Sequence, residues 1–260
     1  MIMYFGVGGN IKDYEGILSD CGVQHVLYSY ANLATNPFHP DMFEDVFIDS
    51  GAFSAASQGT KIRVENYICW LKAYLPLHPS IKTYANLDDI GDPKKSMQNQ
   101  KLMEDNDLKP LPCYHYGEEP SILKYYCDKY EYVALGGIVS KRAAGEDIQT
   151  WWEYIYRQYP DNKFHIFGCN NLLLFVRYQP YSIDSVSHIQ FMRHFQLPGY
   201  YGGLPNTLDI SENGSGWRFP IYWKDFAPII IKTMMDWEKM EWVKHIKEHK
   251  VKDSPQMKLL

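Results

Sequence analysis

Eight short apolar runs recur along this chain, and most are followed by a stretch with helical spacing. They cover Tyr4–Val7, His25–Tyr30, Val46–Ile48, Ile81–Leu87, Leu111–Tyr116, Tyr132–Leu135, Phe164–Phe167 and Tyr181–Ile183. Runs of this length, rich in Val, Ile, Tyr and Phe and mostly closed by Gly or Asp, read as buried strands. A polar helix is expected from about Lys12 to Asp20, and Val64, Tyr67, Ile68, Leu71 and Leu75 repeat on one helical face. Pro93 opens a polar helix reaching about Asp107, and Ile122, Tyr125 and Tyr126 mark a short one. Ile148, Trp151, Trp152, Ile155, Tyr156 and Tyr159 give the cleanest helical period, within Asp147–Tyr159. Alternating β and α units imply a parallel sheet, and eight of them in 260 residues fit a closed (β/α)8 barrel better than an open sheet.

The expected fold class is therefore α/β, a single TIM barrel spanning 1-260, since no linker or low-complexity stretch divides the chain. Two segments stand outside the repeat. Residues 188-220 read as a long inserted loop after the last strand, rich in Tyr, Gly and Arg. Residues 225-250 read as a C-terminal helix in which Pro228 fits only the first turn.

The formal charge of -5 excludes a protein basic all over, so any nucleic-acid contact must come from basic residues gathered on one face. Lys94, Lys95, Lys141, Arg142, Arg177 and Arg193 fall in or near expected strand-to-helix loops. The aromatic share of 15% suits a binding surface as well as a large core. Five cysteines without Cys-x-x-Cys spacing suggest reduced thiols. With no signal-peptide pattern at the start and no membrane-length apolar run, the expected location is the cytoplasm.

The strand ends carry the chemistry. Val46-Phe47-Ile48 runs straight into Asp49-Ser50-Gly51-Ala52-Phe53, and the other ends bring Asp88 with Asp89, His115, Gly136-Gly137, Gly168 and Asp184. In a barrel these C-terminal ends build the active site. An Asp after a strand also opens an Asx-turn, so one such residue is ambiguous. Three strands offering carboxylates to one volume favour glycosyl chemistry, where one carboxylate is the nucleophile and another group moves a proton. Metal-dependent hydrolysis competes, because His115 and several Asp can ligate a divalent ion. No His-x-His or similar cluster supports it, and the expectation is of no metal.

Five of these segments resemble the tRNA-guanine transglycosylases, in that family's order. Asp49-Ser50-Gly51-Ala52-Phe53 is similar to its Asp-Ser-Gly-Gly-Phe motif, and Asn86-Leu87-Asp88-Asp89 to its Phe-Asp-Glu segment. Leu135-Gly136-Gly137-Ile138 resembles its base-binding glycines, His165-Ile166-Phe167-Gly168 its Leu-Met-Gly strand end, and Ser182-Ile183-Asp184-Ser185 the strand carrying its nucleophile. The family's Cys-x-Cys-x-x-Cys…His zinc module has no counterpart here, and His115 stands where the family has a base-contacting Gln. Those departures are closer to the DpdA-type DNA-guanine transglycosylases, many of them phage-encoded, in which case the location is the host cytoplasm.

The resemblance implies a pentosyltransferase that exchanges guanine in DNA for a free 7-deazaguanine, with no cofactor and no zinc. Asp184 would be the nucleophile and Asp49 the general acid and base. Asp88, or less directly Asp89, would accept from the guanine N1–H and amino group. Ser50, Gly51, Phe53, Gly136, Gly137, Phe167 and Gly168 would line the base site, with His115 at the 7-substituent or base edge. The target guanosine would have to be flipped out or single-stranded. A tRNA substrate, and hydrolysis of a 7-deazaguanine nucleoside, stay open beside the DNA reading. Target sequence, partner proteins and oligomeric state are not written in the chain.

Overall fold

A computed structural model describes residues 1–8, 14–33, 37–138, 148–168, 177–185, 196–201, 204–209 and 223–238. Its centre is one sheet of eight parallel strands: β1 Ile2–Gly6, β2 His25–Ser29, β3 Asp45–Asp49, β4 Ile81–Tyr84, β5 Cys113–His115, β6 Tyr132–Gly136, β7 Lys163–Ile166 and β8 Ser182–Ser185. Their order is β4-β3-β2-β1-β8-β7-β6-β5, so the first strand pairs with the last and the sheet curls. The strands sit within the eight expected runs or within two residues of them.

Side-chain parity shows what the curl encloses. Successive strand residues point to opposite faces. One set, Tyr4, Leu27, Phe47, Ala85, Cys113 and Ala134, forms a small apolar cluster of its own inside the curl. The alternate set, including Met3, Phe5, Val26, Val46, Ile48, Val133, Leu135 and Ile183, belongs to a larger core shared with the helices. Both faces of a parallel sheet covered in this way explain why the strands read as continuous apolar runs. Seven α-helices are described: α1 Tyr14–Asp20, α2 Ala52–Ser57, α3 Val64–Tyr74, α4 Pro93–Glu104, α5 Pro120–Lys129, α6 Ile148–Gln158 and α7 Trp223–Glu238. Helix α6 justifies its period by burying Ile148, Trp152 and Ile155 completely or nearly so.

The ladder does not run all the way round. The edge strands β4 and β5 meet at a single parallel bridge, Ala85 with Leu111. Leu111 N–H donates to Tyr84 O at 2.8 Å, and Asn86 N–H to Leu111 O at 2.9 Å. Leu111 lies between Pro110 and Pro112, neither of which has an N–H to extend the pairing. The closed barrel expected from the sequence is thus a curled eight-stranded sheet with a one-bridge seam.

Other expectations need correcting. Between β2 and β3, where a (β/α)8 barrel would carry a helix although no helical spacing is read there, the described residues hold two 3-10 turns and no α-helix. The segment read as a loop over 188-220 contains an antiparallel hairpin, β9 Gln196–Tyr201 with β10 Leu204–Asp209. Its Gly and Pro content hid the strands. Helix α7 starts at Trp223, so Pro228 falls in the second turn, where one intrahelical bond is missing. The rest of the expected C-terminal helix, with Lys141, Arg142 and Arg193, lies outside the described residues. No described helix is long and apolar enough to cross a membrane. Cys21, Cys69, Cys113 and Cys127 are free thiols.

Candidate active site

A cavity of about 600 Å³ opens at the C-terminal ends of the strands. Asp49, Ser50, Phe53, Asp88, His115, Gly136, Gly137, Phe167 and Gly168 line it, all nine among the residues singled out from the sequence. Gly51, Asp89 and Asp184 are not on its wall.

Asp49 ends β3, on the inward parity of Phe47. Burial pushes its carboxyl up from 3.8 to about 7; the backbone N–H groups of Gly51 and Ser50 oppose this, and Asp184 and Asp88 add to it. A carboxyl near neutrality both donates and accepts a proton readily. Gly51, two residues on, has a role in the fold. Its φ of 74° is left-handed, it caps α2, and a Cβ there would stand 2.4 Å from Ala31 Cβ and 2.7 Å from Ser29 Oγ.

Asp88 follows β4. The fully buried Asn86 donates from Nδ2 to Asp88 Oδ1 at 3.1 Å and to Ser96 O at 3.0 Å, fixing the carboxylate against α4. Burial raises the Asp88 carboxyl to about 6, with His115 pulling it down and Glu118 pushing it up. Asp89 faces elsewhere, 3.6 Å from Lys61 Nζ, with its N–H on Ser96 Oγ. Of the two neighbouring acids, only Asp88 addresses the cavity.

His115 ends β5 against Gly136, the last residue of β6, and Gly137 just after it. A Cβ on Gly136 would stand 3.0 Å from both Cys113 Sγ and His115 Cδ2, and one on Gly137 3.1 Å from His115 Cβ. The two glycines therefore make room for the imidazole. Glu118, which the sequence reading missed, takes the His115 N–H at 3.0 Å and lies 3.1 Å from its Nδ1. On the other side, Nε2 is 3.4 Å from Asp88 Oδ2 and 3.6 Å from Cys113 Sγ. Burial disfavours charge on this ring, yet the Cys113 sulfur and the Asp88 and Glu118 carboxylates outweigh it and hold its pKa well above 6.5. Asp88, Cys113 and His115 bring three potential metal ligands together, a grouping the sequence reading did not single out. The signal was there: Cys113-Tyr114-His115 on a strand puts the first and third side chains on one face.

Asp184, on β8, is bonded to the cavity wall rather than part of it: Gly168 N–H donates to its Oδ1 at 2.9 Å. The fully buried His165 places Nε2 3.6 Å from the same oxygen, and its Nδ1 is 2.7 Å from Ser182 Oγ, which is 2.5 Å from Tyr132 OH. Burial lowers the His165 pKa despite the nearby Asp184. A neutral imidazole anchored through Ser182 and Tyr132 thus stands beside Asp184, inside the curl. Phe47 and Phe167 pack on it at 4.7 and 4.5 Å between ring centres.

Phe167 lines the inner cavity and Phe53 its outer rim, where Phe53 is 60% exposed. Lys94 and Lys95 are exposed in the first turn of α4, while Arg177 faces Glu153 at 3.7 Å and stacks on Tyr178. No protein-family model matches this chain, and no curated protein matches it either. The resemblance to the transglycosylases therefore rests on the five motifs and on where their residues fall.

Proposed function

We propose that this protein is a base-exchanging pentosyltransferase, built as a (β/α)8-type barrel, that replaces guanine in DNA with a 7-deazaguanine. One observation supports the reading above the rest. Two electrostatically coupled acids, Asp49 and Asp184, come from β3 and β8 at the C-terminal ends of the strands; Asp49, poised near pH 7, lines the cavity of about 600 Å³, and Asp184 is bonded to its wall through Gly168 N–H.

In this reading the Asp184 carboxylate attacks the anomeric carbon of the target nucleotide, and the bond to guanine breaks with its electron pair going to the base. Protonated Asp49 gives its proton to the departing guanine. A 7-deazaguanine then enters, Asp49 takes back a proton from it, and its ring nitrogen displaces Asp184 to remake the glycosidic bond. Gly168 N–H, donating to Asp184 Oδ1, and His165 beside it hold the nucleophile in one orientation. In the same reading Asp88 accepts from the base's N1–H and amino group, a donor pair that adenine and the pyrimidines lack. Phe167 offers a face for the ring.

The test is an exchange assay on guanine-labelled DNA and tRNA, with and without 7-deazaguanines, following label release and base incorporation. Incorporation into DNA is expected. Release without incorporation makes the protein a hydrolase, and exchange on tRNA alone overturns the DNA assignment. Asp184→Asn is expected to abolish the covalent adduct with the polymer; an adduct that persists moves the nucleophile elsewhere.

A further inference from the structure

We infer that Asp88, Cys113 and His115 form a binding site for a zinc-class divalent cation on the cavity wall. Their donor atoms all lie within 4.8 Å of one another. Two of the three spacings match those of ligands around an ion. Zinc bonds of about 2.0–2.1 Å to N and O and about 2.3 Å to S, at tetrahedral angles, put N···O edges at about 3.3 Å and N···S edges at about 3.5 Å. His115 Nε2 stands 3.4 Å from Asp88 Oδ2 and 3.6 Å from Cys113 Sγ. A direct charge-assisted bond between imidazolium and carboxylate would close to about 2.7–2.9 Å.

The surroundings fit as well. The far ring nitrogen of His115 faces Glu118 at 3.1 Å, the carboxylate–imidazole arrangement that leaves Nε2 free for a metal. Asp88 is held through its other oxygen by Asn86, so Oδ2 is presented to the same point. Gly136 carries no side chain where one would press on both Cys113 and His115. One thiol, one imidazole and one carboxylate make a donor set suited to zinc rather than to magnesium or calcium. All three residues line the cavity, which supplies an entry path and a fourth position open to a small ligand, the pattern of catalytic rather than structural zinc.

On binding, Cys113 loses its thiol proton and the imidazole is left neutral, both protons passing to solvent, with no change of oxidation state. The site shares Asp88 and His115 with the glycosyl-transfer reading. With the ion in place, Asp88 Oδ2 is taken up in coordination and no longer accepts from a base's N1–H, so ion and base compete for it.

The experiment strips the full-length protein with a chelator and titrates it with Co²⁺, then Zn²⁺, following absorption. One cobalt per chain is expected, with the intense visible bands of tetrahedral cobalt and a near-ultraviolet thiolate charge-transfer band, both removed by zinc. Cys113→Ser should lose the charge-transfer band, whereas Cys69→Ser, at an exposed cysteine, should keep it. Glu118→Gln should weaken binding about tenfold or more, as loss of an outer carboxylate does. Absence of cobalt absorption in the unmodified protein, or a thiolate band that survives Cys113→Ser, overturns the proposal. If Cys113→Ser does not fold, His115→Gln replaces it, and unchanged cobalt binding there is equally fatal. Metal binding is read without any turnover, so it stands or falls separately from the Asp184 adduct.

Discussion

Asp49→Asn keeps the side chain's shape and its acceptor oxygen while removing its charge. In the folded protein burial carries the Asp49 carboxyl from 3.8 to about 7, helped by Asp184 and Asp88. Each tenfold change in proton affinity is about 1.4 kcal/mol, so ionised Asp49 costs the folded state about 4 kcal/mol. That is a large share of the roughly 5–15 kcal/mol that holds an ordinary domain together. The folded value lies above the unfolded one, so the folded state binds this proton more tightly. The cost is absent below about pH 4, grows as pH rises to about 7, and is constant above that. Urea unfolding of both proteins at pH 5 and pH 8 measures it. The variant should exceed the parent by about 2 kcal/mol at pH 5 and about 4 kcal/mol at pH 8, while exchange activity disappears. An advantage that does not widen with pH refutes the reasoning, because Asp49 is then not held against its charge.

Three further outcomes follow from the same geometry. Gly51→Ala should destabilise by about 2–5 kcal/mol, from left-handed backbone strain plus overpacking against Ala31 and Ser29, in urea melts. Gly59→Ala, with a similar φ of 70° but open space around it, should lose only about 1–2 kcal/mol; equal losses would remove the packing role of Gly51. Asp88→Asn should lower exchange kcat/KM about tenfold or more, since bonds to a charged group contribute about 1.5–3 kcal/mol, while Asp89→Asn changes it little. The reverse order would make Asp89 the acid that reads the base. DNA affinity should fall steeply between 50 and 200 mM salt, roughly in proportion to the phosphates contacted, when followed by fluorescence anisotropy; a flat response would exclude the basic loops as the docking surface.

The strands were legible because a parallel sheet covered on both faces must be apolar throughout, and Val46-Phe47-Ile48 is fully buried as its residues suggested. The strand-end residues were legible for a related reason, since polar groups directly after such a run lie close to the mouth of the sheet. What stayed hidden depends on contacts between segments distant in sequence. Two adjacent acids read alike in sequence; Asp89 is drawn to the distant Lys61, while Asp88 is held by Asn86, itself anchored to Ser96 on α4. Gly51 reads as an approach for a ligand until Ala31 is seen against it. His165 reads as part of a strand end, and only the pairing of β7 with β8 sets it between Ser182 and Asp184. The hairpin over Gln196–Asp209 was obscured by prolines and glycines that ordinarily mark loops.

The seam between β4 and β5 gives the curl a weak hoop, and the two walls of the cavity belong to opposite sides of it. Asp88 comes after β4, whereas Cys113 and His115 lie on β5. Any ligand gripping both walls therefore acts as a fastener, and its affinity and the closure of the sheet become one linked equilibrium. The empty protein should breathe along the line from Tyr84 to Leu111, where two backbone bonds do the work a full ladder does elsewhere. Amide exchange at Leu111 and Asn86 would then report occupancy of the cavity, although neither group touches what fills it.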